Sequence, residues 1–299
     1  MVYKKTFGDW VFDSIIYFIA ALVIVCTVYP LIYTVSLSIS DPAAVAAGKV
    51  WLLPVGFDLQ AYTRIFEETG FLKYVSNSLF YTIAGTAMGV FFSALAAYPL
   101  SRPEFIYRKY LKGYYMLTMF IGGGLIPTYI VMTRFLHLYD SRWAILLPPC
   151  AASWYIIVAT SFFQTLPGEI VESARLDGAS EYRIFGQLIL PLSKPSLAVL
   201  ALYYSVGHWN SYLPAVLYLS DDAKQPLSVY VRRIAVENDI GAMMKTMNLS
   251  VIGLDNNVLL STIQMKYALL VVTVLPMMLI YPMLAKNLEK GVLIGAIKG

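Results

Sequence analysis

Charge is what this sequence has least of. Only 13% of its residues are Asp, Glu, Lys or Arg and 59% are hydrophobic, against about 25% and 45–50% in soluble domains. A chain of 299 residues so short of charge cannot cover a globular surface with polar groups, which excludes a large soluble domain. Cysteine is nearly absent. Cys26 and Cys150 both sit inside apolar runs, which excludes a disulfide framework or a metal cluster. The two histidines, His137 and His208, lie 71 positions apart and support neither a metal site nor a Ser-His triad. The sequence contains no GxxxxGK(S/T) phosphate loop, HExxH, GxSxG or CxxC, so catalysis and ATP binding by this chain are not expected. The net charge of +4 is too mild for a nucleic-acid binder.

What is present is long and apolar. Six stretches lack all four charged residue types: 14–40, 74–101, 113–133, 143–168, 195–220 and 267–285. They are 19 to 28 residues long, and a helix crossing a bilayer needs about 20. Barrel strands would be about 10 residues of alternating pattern; the pattern here is continuous. The expected fold is an all-α polytopic membrane protein with six spanning helices in one domain, residues 1–299. The first run is too long for a cleavable signal peptide and no small-residue cleavage site follows it.

With an even number of spans both termini fall on one side. That side carries Lys4, Lys5, Arg102, Arg108, Lys109, Lys112, Arg175, Arg183, Lys194, Lys286, Lys290 and Lys298. Short loops decide orientation, and 102–112 with four basic residues outweighs 134–142 with two. Both termini and segments 102–112 and 169–194 are therefore expected in the cytoplasm, with 41–73 and 221–266 outside.

Within the spans, Gly85, Gly89, Ser93 and Ala97 recur every four residues and make one small face for close helix approach. Gly122-Gly123-Gly124 and Pro127 should loosen or kink the third span, as a hinge or as plain irregularity. No span holds an acidic residue, which counts against an ion-driven carrier. His208, Trp209, Asn210 and Tyr212 form the most polar cluster inside a span. Aromatic faces and amides suit sugar rings and hydroxyls; an interhelical hydrogen-bond knot is the alternative. His137, in the short turn with Arg134 and Asp140, is expected to be solvated.

The most patterned segment outside the spans is 167–195, PGEIVESARLDGASEYRIFGQLILPLSKP. Pro167 suits a helix start, and Glu169 and Glu172 favour the positive end of that helix. Gly178 interrupts the pattern, and Asp177 can cap a second helix starting at Ala179. Val171, Ala174, Leu176, Ile184, Phe185, Leu188 and Ile189 give an apolar set beside charged positions. Such a helix-turn-helix suits docking to another protein, or lying in the membrane interface.

This loop resembles the EAA signature of membrane subunits of bacterial ATP-binding-cassette importers. Glu172-Ser173-Ala174 is followed after three residues by Gly178, and after nine more by Leu188-x-Leu190-Pro191. Ser173 and Leu188 replace the usual Ala and Ile. The resemblance extends to Asn77-Ser78-Leu79, Phe120 to Pro127, Phe162-Phe163-Gln164, His208-Trp209-Asn210 and the C-terminal GVLIGAIKG, and points to carbohydrate-type permeases similar to the maltose-type one. The stretch from Gly122 to Pro127 looks most like the subgroup for complex or uronic-acid oligosaccharides.

The resemblance implies a type I importer fold, a second homologous permease that shares the translocation path, two ATP-binding subunits and an extracytoplasmic solute-binding protein. ATP and Mg would sit on the ATPase subunits, and this chain would bind no cofactor or metal. The loop would be the coupling element, with Glu172, Ser173, Ala174, Asp177, Gly178, Phe185, Leu190 and Pro191 at the ATPase contact and Glu172 facing an ATPase arginine. The tail, with Gly291, Gly295, Lys298 and Gly299, would reach between the ATPase subunits. A bacterial inner-membrane location follows. The alternatives, a secondary sugar carrier and an intramembrane enzyme, lack the acids or catalytic set they need.

Overall fold

The computed structural model describes residues 7–67, 70–246 and 263–282. The last residues of the sixth stretch, 283–285, and the tail residues Gly291, Gly295, Lys298 and Gly299 lie outside the described residues. Helices account for the regular structure, and the described residues contain no strand beyond an isolated bridge between Ser40 and Phe57. Three helices are long and apolar enough to cross a membrane unbroken: Phe7–Ser38, Phe71–Ser101 and Ile263–Pro282. Three more candidates are bent pairs: Arg108–Phe120 with Leu125–Phe135 at 113°, Trp143–Ala151 with Ser153–Gln164 at 43°, and Glu181–Leu192 with Lys194–Trp209 at 80°.

The breaks depart from the continuous spans expected of the sequence. The third stretch is broken rather than kinked, because Ile121–Gly124 leave the helix and Gly124 takes φ +79. The fourth passes through a 3-10 turn at Pro148–Ala151, where adjacent prolines withdraw backbone donors. The fifth stops at Trp209 and restarts at Tyr212–Tyr218. Its first helix turns away from the preceding one at Ser193, with a proline, Pro195, in its opening turn, the position a helix start tolerates.

The chain divides into two compact units: Met1–Thr69 with Val231–Val274, and Gly70–Tyr230 with Leu275–Gly299. In the first, helix Phe7–Ser38 exposes most of its large apolar side chains and buries only Ser36, Leu37 and Ser38, as a lipid-facing helix does. Gln264, fully buried, donates through Nε2 to the carbonyls of Ser38, Ser40 and Asp58 at 3.3, 2.8 and 3.1 Å. Ser38 closes the helix, where the last carbonyls have no partner within it.

The second unit is organised around Phe71–Ser101, which packs on Lys194–Trp209 and Ser153–Gln164. The small face expected from Gly85, Gly89, Ser93 and Ala97 is the contact. A Cβ on Gly85 would clash with the His208 ring, and one on Gly89 would come to 2.5 Å from the Tyr204 ring. One turn further, Ser93 Oγ and the Tyr204 hydroxyl are hydrogen-bonded at 2.6 Å, and Ala97 is fully buried.

Candidate functional site

The segment 168–192 is the helix-turn-helix its pattern suggested. Helix Gly168–Leu176 ends on Asp177. The Gly178 N–H then bonds to the Arg175 carbonyl and the Ala179 N–H to the Ala174 carbonyl, each at 3.0 Å, with Gly178 at φ +81. This is a Schellman closure, which requires the left-handed conformation glycine supplies. Asp177 therefore terminates the first helix and does not cap the second, contrary to expectation. The second helix starts at Glu181 after an extended Ser180.

The apolar set of this loop also divides. Val171, Ile184, Phe185 and Ile189 are buried in one core with Ala94, Ala97, Tyr98, Phe163 and Leu200, and the Phe185 ring lies 5.3 Å from that of Tyr98. They hold the loop to its own bundle, and Phe185, expected at the ATPase contact, is turned into this core rather than exposed. Glu172, Ser173, Asp177, Gly178 and Pro191 are exposed, and Ala174 and Leu190 half-buried. The most exposed large apolar groups of the segment are Leu176 and Tyr182, 89% and 86% exposed.

A polar network fixes the loop to the end of Phe71–Ser101. The Tyr98 hydroxyl donates to Glu181 Oε2 at 2.6 Å and Arg175 Nε to Glu181 Oε1 at 2.8 Å, while Arg175 also pairs with Glu104 at 3.5 Å. The Tyr98 hydrogen bond, followed by that from Arg175, holds the Glu181 carboxyl below its usual range.

At the other end of Lys194–Trp209 lies a cavity of about 470 Å³. Tyr155, Tyr204, His208, Asn210, Tyr212 and Tyr218 line it together with Pro148 and Pro149. The rings of Tyr155 and Tyr204 are 4.2 Å apart, and the His208 ring lies stacked 6.4 Å from Tyr204. His208 Nε2 is buried with no hydrogen-bond partner among the described residues. Asn210 spends its amide on the Val206 carbonyl at 3.0 Å. The predicted cluster is thus only partly assembled: His208, Asn210 and Tyr212 face the cavity, whereas Trp209 is buried and absent from its lining. Sequence reading missed Tyr155 and Tyr204, whose apolar neighbours gave no polar signal.

A third set of contacts, also unforeseen, ties the start of segment 221–266 to the opening of Phe71–Ser101. Lys73 Nζ and the Tyr74 hydroxyl bond to Asp222 Oδ2 at 3.0 and 2.6 Å. Asn77 Nδ2 donates to the carbonyls of Ala223 and Gln225 at 2.9 and 3.0 Å, and Ser78 Oγ accepts from the Leu227 N–H at 2.8 Å. Nearby, Lys224 Nζ reaches Asp140 Oδ2 at 2.5 Å. That hydrogen bond keeps the Asp140 carboxyl below its ordinary value and the Lys224 ammonium above its own. His137 is exposed, as expected.

Long apolar helices and bent pairs able to cross a membrane, with an aromatic cavity among them, are the build of a membrane-spanning subunit. The chain belongs to the family of binding-protein-dependent transport system inner membrane components, whose model matches residues 89–294. It is 38% identical to the polygalacturonan/rhamnogalacturonan transport system permease protein YtcP of Bacillus subtilis (strain 168), over 96% of this chain and 98% of that protein. It is 36% identical to protein LplC of the same strain, over 91% and 90%. Its fold matches a crystal structure of a bacterial ABC transporter involved in import of the acidic polysaccharide alginate, with TM-score 0.83, 29% identity, and 95% and 99% of the two chains covered. The protein is accordingly a non-catalytic permease subunit of an ABC importer that works with a solute-binding protein.

Proposed function

We propose that this subunit imports oligosaccharides, with uronic-acid-containing chains as the substrate class, and that it pairs with a second homologous permease above two ATPase subunits that hold ATP and Mg. The observation that carries the coupling half of this reading is the Schellman-closed loop at Gly178, which leaves Glu172, Leu176 and Tyr182 outward and is bonded to the bundle through Glu181. Glu172 is the acid for an ATPase arginine, and Ser173, Ala174, Asp177, Leu190 and Pro191 shape the surface around it. Six spans cross the membrane with both termini cytoplasmic, and the tail with Gly291, Gly295, Lys298 and Gly299 enters the ATPase interface. The chain itself needs no cofactor or metal.

The substrate class is supported by the relatives named for polygalacturonan and alginate and by the cavity at His208. Its tyrosines and prolines offer flat apolar faces for sugar rings, and His208, Asn210 and Tyr212 offer polar edges. None of the described lining residues is Lys or Arg, so in this reading the carboxylates of the substrate are met outside this cavity. The test is a binding screen of the cognate solute-binding protein with oligogalacturonides, alginate fragments and maltodextrins, followed by uptake into proteoliposomes holding the complete transporter. Binding and uptake of acidic oligosaccharides are expected. Preference for maltodextrins would overturn the substrate class, and uptake without the ATPase subunits would overturn the mechanism.

A further inference from the structure

We propose that the cavity at the coupling-loop end of Phe71–Ser101 binds the phosphodiester headgroup of an anionic phospholipid, with the Arg102 guanidinium as its counter-ion. Arg102 is 8% exposed, and its Nε and Nη2 have no hydrogen-bond partner among the described residues. It lies over the Tyr98 ring at 5.1 Å and lines a cavity of about 430 Å³. Buried charges are normally paired. The acids bordering this cavity, Glu104 and Glu181, are both paired with Arg175; Glu181 also feels the Arg102 charge, yet Nε and Nη2 of that guanidinium stay without a hydrogen bond among the described residues.

The charge balance selects the kind of anion. With Glu104 and Glu181 in the wall, a free phosphate dianion meets repulsion that a diester monoanion meets only half as strongly. The planar guanidinium fork matches phosphate oxygens.

The helix face selects a lipid. Phe91, Leu95, Tyr98 and Arg102 are spaced by three or four residues and share one face of the helix. Phe91 and Leu95 are 52% and 40% exposed, so an apolar stripe long enough for acyl chain leads down to the buried cation. Phe91 also borders a second groove of about 350 Å³ with Val90, Ala94, Leu190 and Leu197. Arg108, Lys109 and Lys112 follow within ten residues, a basic segment of the kind drawn to anionic headgroups. The site does not depend on which sugar is carried, nor on which way the chain is inserted.

The experiment uses the complete transporter in nanodiscs of phosphatidylcholine with or without phosphatidylglycerol. Lipid retained after detergent extraction is quantified by mass spectrometry. Wild type is expected to retain phosphatidylglycerol selectively, and Arg102→Gln to lose it by about tenfold, the scale of a hydrogen-bonded charge pair. Leu95→Trp, which fills the cavity mouth and keeps the charge, is expected to lose it as well, and Arg102→Lys to keep part. Equal retention by wild type and Leu95→Trp would overturn the proposal even if Arg102→Gln fails to assemble. Release of the lipid by millimolar inorganic phosphate would reassign the site to free phosphate. Loss of the ATPase subunits from Arg102→Gln with lipid retention unchanged would assign the guanidinium to an acidic partner protein.

Discussion

The imidazole of His208 lies against the backbone of Gly85, in the space that any β-carbon at that position would occupy. The same holds one turn along for the Tyr204 ring and Gly89. The missing side chains of one helix thus make room for the aromatic residues that wall the cavity on the other, so helix packing and cavity shape are one feature. Gly85→Ala and Gly89→Ala should each force the helices apart. Overpacking of this kind costs roughly 1–3 kcal/mol, which a lowered thermal midpoint of the purified transporter would register. Gly207→Ala is the control, since a β-carbon there meets nothing within 4 Å. A Gly85→Ala transporter as stable as the control would show that the contact is dispensable.

His208 and Trp209 are neighbours in sequence with different surroundings. His208→Leu should weaken uptake while the complex assembles and basal ATP hydrolysis persists, because it removes a polar edge from the cavity. Trp209→Ala should instead lower the yield of assembled complex: truncating a buried tryptophan costs about 3–5 kcal/mol. Transport kinetics beside size-exclusion profiles separate the two. Normal assembly of Trp209→Ala with selective loss of uptake would move the path to that residue.

Gly178 is required by its backbone, not by its surroundings, since a β-carbon there meets nothing within 4 Å but φ is +81. Gly178→Val should strain the loop by about 1–3 kcal/mol and reduce co-purification of the ATPase, whereas Gly178→Asn, which tolerates that conformation, should retain more. Equal ATPase recovery from both variants would exclude a backbone cause.

Glu172 is exposed on the first loop helix. Glu172→Lys would turn attraction to an ATPase arginine into repulsion. Breaking a desolvated charge pair costs about 2–5 kcal/mol, or roughly 30- to several-thousand-fold in affinity. Pull-down of the ATPase by the assembled permease pair measures it. Wild-type recovery would remove this loop from the coupling role.

The Asp140–Lys224 pair should give a pH signature. The Asp140 carboxyl is held below its ordinary 3.8, so its contribution is complete above that value and is lost as pH falls through the lower folded value. Lys224 is held above 10.5, so its contribution is complete below that value and is lost as pH rises through the higher folded value. The stability difference between wild type and Asp140→Asn should therefore be constant through neutral pH and shrink below about pH 4. Thermal melts across pH 3–7 check it. A difference that persists unchanged at pH 3 would show that the pair is not what Asp140 supplies.

The sequence by itself determined the membrane class, because six charge-free runs leave no other solvent for those side chains. It determined the small face at Gly85, Gly89, Ser93 and Ala97, whose four-residue period is a property of any helix. It also determined the turn at Gly178, since the local chain needs a residue free to adopt positive φ. Tertiary structure alone decided which apolar residues of the loop were spent inward: Phe185 and Leu176 read alike in sequence, yet one packs on Tyr98 and the other is left outside. It brought Asp222 to Lys73 and Tyr74, and Glu181 to Tyr98, across 149 and 83 positions at most, pairings that no local pattern encodes. Period and charge act over neighbouring residues and are legible one-dimensionally; burial and pairing depend on which surfaces meet, and only the packed helices set that.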